Sequence, residues 1–209
     1  MNSAKVICLT PVKNEGWILD KFLAATSLWA DHIIIADQMS DDGSREIAEK
    51  YEKVILVDNK SLDFNEPERQ KLLIHEARKI GGKKLLITLD ADEFFSGNAL
   101  ESQSWKEMLT AAEGTVFSFK WPCIGADFKT FWYPGEKMTY MKFAYVDDGA
   151  EHKGSEIHST RIPISDKAIY KKIDDFVVMH FQFVDWKRME SKHRWYQCLE
   201  RIKSPNKSA

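Results

Sequence analysis

Residues 84–93 read Lys-Leu-Leu-Ile-Thr-Leu-Asp-Ala-Asp-Glu, a short apolar run that ends in a cluster of acids. A run of this length and composition predicts a buried β-strand, and the acids follow it directly. Because successive side chains of a strand point to opposite faces, Asp90 and Asp92 share one face while Leu89 and Ala91 share the other. The stretch therefore predicts two carboxylates that converge at one strand end.

Three further strand candidates precede this run, and helical patterns separate them. The strands are predicted at residues 5–10, 32–36 and 54–57, and the helices from Asn14 as N-cap, over 44–51 and over 67–80. Strands that alternate with helices of this length are typical of βαβ units. The first 95 residues are therefore expected to form a largely parallel sheet covered by helices.

Residues 96–209 follow a different pattern, with many aromatic residues and turns between 115 and 172. Strands are predicted at 116–120 and 176–183, and Asp185 is expected to cap a final helix. That helix carries Trp186, Met189, Tyr196 and Leu199 on the side expected to pack. We expect mixed strands here and no second domain, so residues 1–209 are predicted to form one α/β domain.

The composition excludes several classes of protein. The 209 residues are 44% hydrophobic and 30% charged, which excludes collagen-like and wholly disordered chains. A net charge of -2 argues against non-specific nucleic-acid binding. The three cysteines lie far apart and no long apolar run is present, so a cytoplasmic protein is expected.

Ligands of open α/β sheets gather beyond the carboxyl ends of the strands, which is where Asp90 and Asp92 are predicted. Two neighbouring carboxylates repel each other unless a cation is present, and their hard oxygen atoms suit Mg²⁺ or Mn²⁺. The alternative is a solvated acidic turn, since an Asp-x-Asp (DXD) pattern is short.

Three motifs at predicted strand ends together resemble the family 2 glycosyltransferases. They are residues 11–15 (Pro-Val-Lys-Asn-Glu), Asp37 with residues 40–44 (Ser-Asp-Asp-Gly-Ser), and residues 89–93 (Leu-Asp-Ala-Asp-Glu). The resemblance implies a GT-A fold, in which a Rossmann-like nucleotide-binding half (1–95) joins a mixed-sheet acceptor half (96–209). It also implies an inverting transfer from a nucleotide-sugar donor, assisted by Mn²⁺ or Mg²⁺.

The resemblance assigns roles to residues of the first half. Pro11 and Glu15 are implied to line the nucleoside pocket, and Asp37 to accept a hydrogen bond from the base. A carboxylate can accept the imide N–H of uracil, so a UDP-sugar is the expected donor. Asp90 is implied to reach the ribose or the metal through water, and Asp92 to bind the metal. Arg69 resembles a basic residue that reaches the nucleotide, although a solvated helix charge is an equal alternative.

Roles in the second half rest on residue type. His180 is a candidate for a further metal or diphosphate contact, with a hydrogen-bonded core histidine as the alternative. His158 and Arg161 suit a diphosphate or an acceptor. An inverting transfer needs a carboxylate that takes the acceptor proton. Glu156 is the first candidate for this base, followed by Glu151 and Asp148.

These residues favour a metal-dependent enzyme that adds one sugar to a cell-envelope or polysaccharide acceptor, either a saccharide or a lipid-linked one. Processive relatives carry Gln-x-x-Arg-Trp, whereas residues 191–195 here read Ser-Lys-His-Arg-Trp. The basic segment 186–209 is compatible with peripheral contact at the inner membrane surface. Two alternatives remain open: an inactive nucleotide-sugar-binding protein and a sugar nucleotidyltransferase.

Overall fold

The computed structural model describes residues 3–203 and has an α/β fold built on one mixed sheet, which confirms the predicted class. The strands are β1 (Lys5–Val12), β2 (His32–Asp37), β3 (Val54–Asp58), β4 (Lys84–Thr88), β5 (Glu93–Phe95), β6 (Thr115–Lys120), β7 (Cys123–Ile124), β8 (Phe131–Trp132), β9 (Tyr140–Val146) and β10 (Ile169–His180). The α-helices are α1 (Leu19–Thr26), α2 (Ser44–Ala48), α3 (Glu66–Arg78), α4 (Gln103–Thr110) and α5 (Trp186–Lys203).

The first half of the chain forms the predicted parallel sheet, in the order β3-β2-β1-β4. Val12 at the end of β1 pairs with Asp37 at the end of β2. On its other side, β1 pairs with β4. The segments that follow these parallel strands therefore emerge at one edge of the sheet, where the three sequence motifs lie.

The first helix begins later than predicted. Asn14 does not cap it: its backbone is left-handed (φ 56°), and Ile18 precedes the first helical residue, Leu19. The side chain of Asn14 instead bonds Asp41, with Nδ2 donating to Oδ1 and Oδ1 accepting from the Asp41 N–H. These bonds satisfy the amide within the loop, so it is not available as a helix cap.

Two apolar clusters pack on opposite faces of the sheet. One contains Phe22 of α1 and Phe117 of β6, and the other contains Leu73 and Ala77 of α3. The side chain of Asn65 caps α3 by accepting a hydrogen bond from the Glu68 N–H. Both faces of the sheet carry apolar side chains, and helices cover these faces because burying apolar surface stabilises the fold.

The second half adds antiparallel and parallel pairings. β9 lies antiparallel between β4 and β6, while β10 runs parallel to β6. β10 begins at Ile169, earlier than the predicted strand, because its first residues pair with β6. The register shifts between Ile173 and Val177, and the strand end then pairs with β5. Such an irregularity bends a strand, and it directs the end of β10 toward the β4–β5 turn.

The final helix forms where it was predicted, and Asp185 accepts a hydrogen bond from the Arg188 N–H as its cap. Met189 is buried, but Trp186 is 61% exposed and does not belong to the packed side. The three cysteines, all within the described chain, are free thiols. Across residues 3–203, no helix is long and apolar enough to cross a membrane.

Candidate active site

The acidic segment after β4 forms a turn, so its side chains do not follow the strand alternation that the sequence predicts. β4 ends at Thr88, and the Glu93 N–H donates to the Asp90 carbonyl at 3.0 Å to close the turn. The side chain of Asp90 is 35% exposed, whereas that of Asp92 is only 6% exposed. The two carboxylates thus lie in different environments, one open and one buried.

Glu93 connects this turn to the second half of the chain. Its fully buried carboxylate accepts hydrogen bonds from the Asp90 N–H at 2.8 Å and from Trp121 Nε1 at 2.9 Å. It also pairs with Arg161. Burial raises the pKa of Glu93, and the Arg161 guanidinium opposes that shift. Sequence reasoning assigned no role to Glu93, because only its tertiary partners distinguish it from an ordinary acid of the turn.

Arg161 bridges two of the acids in this turn. Its Nη2 atom lies 3.1 Å from Asp90 Oδ2, while Nη1 contacts Glu93. The guanidinium lies 5.0 Å from the ring centre of Phe143. Burial opposes its charge, but Asp90 and Glu93 outweigh burial and raise the pKa of Arg161 above its usual value. Arg161 is therefore a fixed cation beside Asp90.

Asp92 meets His180 and Lys192, which come from β10 and α5. Asp92 Oδ2 lies 3.6 Å from His180 Nε2 and 3.9 Å from Lys192 Nζ. Although burial favours its neutral form, Lys192 and His180 lower the pKa of Asp92. Burial likewise opposes charge on the imidazole, but Asp92 raises the pKa of His180 to about 9. The free site therefore holds an ionised Asp92 between two cations.

The donor set around Asp92 fits a divalent metal ion. Asp92 Oδ1 and both ring nitrogens of His180 are buried and have no hydrogen-bond partner among the described residues. The ring of His180 is buried and stacks on the Trp121 ring, with 4.5 Å between the ring centroids. Within residues 3–203, there is no group of three His, Cys, Asp or Glu side chains close enough together to hold a metal ion. Mn²⁺ or Mg²⁺ at such a two-residue site is usually completed by substrate phosphates and water.

The predicted nucleoside residues lie at the ends of β1 and β2. Pro11 is buried in β1, opposite Ala36. Asp37 is 3% exposed; its Oδ2 lies 3.6 Å from Arg45 Nη1, and its Oδ1 has no partner among the described residues. Glu15 accepts from Trp17 Nε1 at 2.9 Å. The structure thus leaves a buried acceptor oxygen on Asp37.

The last helix packs its cations against this edge of the sheet. Arg188 Nη2 lies 2.7 Å from Glu15 Oε2, and Lys203 pairs with Glu156. Burial raises the pKa of Glu15, with Asp92 adding to the shift and Arg188 opposing it. Neither Arg188 nor Lys192 was assigned a role from the sequence. Seven cations in a terminal segment indicated a basic helix but not which acids it faces.

A cavity of about 570 Å³ lies between α3, α5 and the 158–161 segment. Its lining includes Arg69, Asp90, His180, Glu66, Trp121, Pro134, Met138, His158, Arg161, Phe183, Lys192, Tyr196 and Glu200. Arg69 lies over the Phe64 ring at 4.4 Å, and its buried Nε has no hydrogen-bond partner among the described residues. The cavity thus joins Arg69 and Asp90 of the first half to His180 of the second.

Several predicted residues lie outside this lining. Pro11, Glu15, Asp37 and Asp92 are absent from it, and so is the proposed base Glu156. The carboxylate of Glu156 is 59% exposed and paired with Lys203. The carboxylate-bearing residues that do line the cavity are Asp90, Glu66 and Glu200; Glu200 pairs with His158 at 2.8 Å.

Comparisons with known proteins bear on the family and the fold of this chain. The profile of glycosyl transferase family 2 matches residues 8–145. The structure of S. aureus TarS 1-349 superposes with a TM-score of 0.52 at 10% identity, covering 85% of this chain and 60% of that chain. At this identity the likeness concerns the fold alone. A comparison with curated protein sequences gave no match.

Two structures with bound ligands are also similar in part. Glucosyl-3-phosphoglycerate synthase from Mycobacterium tuberculosis, in complex with Mn²⁺, UDP and glucosyl-3-phosphoglycerate, has a TM-score of 0.42 at 16% identity. GalNAc-T7 with UDP, GalNAc and Mn²⁺ has a TM-score of 0.47 at 16% identity. The matched region is 59% of this chain in both cases. It is 46% of the synthase chain and 24% of the GalNAc-T7 chain. Likenesses this partial do not assign a ligand.

Proposed function

The chain belongs to glycosyltransferase family 2 and has the GT-A fold, and on that premise we propose that it transfers a sugar from a nucleotide-sugar to an acceptor hydroxyl with inversion. The observation that carries the proposal is the Asp90–Asp92 turn, where Arg161, His180 and Lys192 meet two carboxylates beside a cavity. We further propose that residues 1–209 act as one domain, with the donor held by residues 1–95 and the acceptor by residues 96–209.

UDP is the proposed nucleotide of the donor. Asp37 supports this choice, because its buried Oδ1 lacks a partner among the described residues and can accept the N–H of uracil. An acceptor atom buried without a hydrogen bond is costly, so a ligand that supplies the donor gains affinity. Pro11 lies in β1 opposite Ala36, the residue before Asp37, and Glu15 follows the end of β1 by three residues. Arg69 offers a further cation at the cavity wall.

Asp92 and His180 are the proposed metal ligands, and their partnerless buried atoms support the assignment. A bound Mn²⁺ or Mg²⁺ supplies positive charge that stabilises the departing diphosphate. His180 must lose its proton before its nitrogen can act as a ligand, so metal binding at neutral pH releases protons. Asp90 lies at the cavity, where it can reach the ribose or a metal-bound water.

The remaining chemistry belongs to the chain's own side chains. As the acceptor oxygen attacks the anomeric carbon, the bond to the diphosphate oxygen breaks and its electron pair remains on the phosphate. Arg161 and Lys192 lie beside Asp90 and Asp92 and can bind the phosphate oxygens as this charge develops. Both cations are present at the site before the donor arrives.

Glu156 remains the proposed base that takes the acceptor proton. For it to act, its ion pair with Lys203 must open and its carboxylate must reach the cavity. Glu66 and Glu200 are the alternative bases that the geometry suggests, because both line the cavity. Substitution of each carboxylate by its amide distinguishes among the three.

The proposed acceptor is a saccharide or a lipid-linked sugar of a polysaccharide or cell envelope. Exposed apolar side chains beside the cavity support the lipid-linked form. Phe131 is 63% exposed and Trp132 is 40% exposed, and the Trp132 ring contacts Phe183, which lines the cavity together with Pro134 and Met138. Such a patch can bind the apolar chain of a lipid-linked acceptor. In a cytoplasmic enzyme it can also contact the inner surface of the membrane. Flotation with lipid vesicles tests the contact, and Phe131→Ser should weaken it.

An inactive nucleotide-sugar-binding protein is the second candidate. One observation favours it: Glu15, Asp92 and Glu156 are each paired with a cation of α5. The two functions are separated by incubating the full chain with a panel of UDP-sugars, Mn²⁺ and saccharide acceptors. Release of UDP that depends on the acceptor supports the transferase, whereas UDP binding without turnover supports the binding protein.

A further inference from the structure

Three cations lie along one side of α5, and each pairs with an acid that was predicted to function. Arg188 meets Glu15, Lys192 meets Asp92, and Lys203 meets Glu156. At 100° per residue, positions 188, 192 and 203 fall within a sector of about 60° of the helix surface. We name these three residues the basic stripe. The last helix therefore brings its positive charge to the sheet edge where the donor is proposed to bind.

Lys192 is the member of the stripe that reaches the proposed metal site. Its Nζ lies 3.9 Å from Asp92 Oδ2, a distance too long for a hydrogen bond but short enough for a strong charge interaction. The same oxygen lies 3.6 Å from His180 Nε2. Lys192 also lines the cavity, and its side chain is 34% exposed, so the ammonium can move without unfolding the helix.

We propose that the Lys192 ammonium supplies, in the free protein, the positive charge at Asp92 that a divalent cation supplies when the donor is bound, so that Lys192 and the metal compete for this carboxylate. When the metal takes Asp92, the displaced ammonium is left beside the diphosphate, whose oxygens become its new partners. Lys192 is thus a positioning residue that couples metal binding to donor binding. This inference rests on the proposed function.

The reason for the coupling is electrostatic. A cation about 4 Å from a ligand carboxylate weakens the attraction between that carboxylate and a metal ion. The phosphates of a donor carry at least two negative charges, which attract both the Lys192 ammonium and the metal ion. Bound phosphates therefore offset the repulsion between these two cations. The metal is therefore expected to bind weakly without nucleotide and more tightly with it, as linkage requires.

Mn²⁺ affinity of the nucleotide-free full chain, measured by titration calorimetry at pH 7.5, tests the proposal. Lys192→Met should tighten Mn²⁺ binding about three- to tenfold, since the pair is partly exposed. Lys192→Arg keeps the charge and should behave as the parent. Arg194→Met removes an exposed cation of the same helix, paired only with Glu190 in the ion pairs of residues 3–203, and should change the affinity less than about twofold.

A second measurement follows UDP affinity at saturating Mn²⁺, where the displaced ammonium contacts the diphosphate, so Lys192→Met should weaken binding while Lys192→Arg should not. Unchanged or weaker Mn²⁺ binding in Lys192→Met would overturn the proposal, and so would an equal shift in Arg194→Met. Failure of the proposed function has another signature: the parent would bind no UDP under any condition. If Asp92→Asn leaves Mn²⁺ binding intact, the metal lies elsewhere and the competition at Asp92 is disproved.

Discussion

The Nε2 atom of His180 lies 3.6 Å from Oδ2 of Asp92, although the two residues come from opposite halves of the chain. The contact follows from β10, whose register shift after Ile173 turns its end toward β5, where His180 pairs with Glu93. The Phe181 N–H then donates to the Asp92 carbonyl at 2.8 Å. Strand pairing therefore fixes the backbones of both proposed metal ligands relative to each other.

Asp92→Asn should remove most of the stimulation of UDP binding by Mn²⁺, because an amide cannot neutralise the cation. We expect the ratio of UDP affinities with Mn²⁺ and with EDTA to fall at least about tenfold. Titration calorimetry measures both affinities. Asp174→Asn, at an exposed acid paired with Lys120, is the matched control. Equal UDP affinities with Mn²⁺ and EDTA in the parent would contradict this prediction.

Asp37→Asn should weaken UDP binding by about 1–3 kcal/mol, because a neutral amide oxygen accepts a weaker hydrogen bond from the base than a charged carboxylate does. Stability should change by less than about 1 kcal/mol, since the only ion pair of Asp37 within residues 3–203 is a 3.6 Å contact with Arg45. Calorimetry and urea unfolding give the two values. Asp58→Asn removes the closer partner of Arg45 and should leave UDP affinity unchanged. A large loss of stability would instead make Asp37 a structural residue.

Arg161→Met should destabilise the fold by about 3–5 kcal/mol, because it leaves the carboxylate of Glu93 buried without its cation. Arg161→Met with Glu93→Gln should recover part of that loss, since the buried charge is also removed. Urea unfolding followed by circular dichroism measures both. Arg194→Met breaks an exposed pair with Glu190 and should cost less than about 1 kcal/mol. A comparably small effect of Arg161→Met would show that solvent reaches Glu93.

Glu156→Gln should lower the rate of sugar transfer about 10²- to 10⁴-fold at saturating donor, because the amide cannot take a proton. UDP affinity should stay within about twofold of the parent value, since the residue lies outside the cavity. Glu66→Gln and Glu200→Gln are compared in the same assay. A rate close to that of the parent for Glu156→Gln, with a large loss in one of the other two, would move the base to that residue.

The stability that His180 contributes should fall as the pH rises. Its pKa is raised from 6.5 to about 9 in the folded protein by Asp92. The contribution is therefore fully present below about pH 6.5 and is lost as the pH passes through 9. In EDTA, the difference in unfolding free energy between the parent and His180→Asn should shrink by up to about 3 kcal/mol between pH 6 and 10. A difference that does not change with pH would show that the folded imidazole is neutral.

Local patterns were sufficient to predict the parallel half of the fold. The apolar runs at 5–10, 32–36 and 84–89 correspond to β1, β2 and β4, with ends within two residues of the predicted ones. They were readable because a strand buried on both faces needs an unbroken apolar run, whichever residues cover it. The positions of Pro11, Asp37 and Asp90 at strand ends follow from the same runs. The start of α1 was misplaced because Asn14 bonds Asp41, which is distant in sequence.

The apolar runs predict which residues end the parallel strands, and hence that an acidic turn lies at the edge of an α/β sheet. The cations that face this turn come from distant segments and depend on how the chain folds: Arg161 from a loop, His180 from the bent end of β10, and Lys192 from α5. The periodicity of apolar residues along the sequence indicates whether a side chain is buried. It does not indicate which side chain of another segment lies against it. The partners of Asp92 and Glu93 depend on a register shift and on helix packing, which are set by contacts between distant segments of the chain.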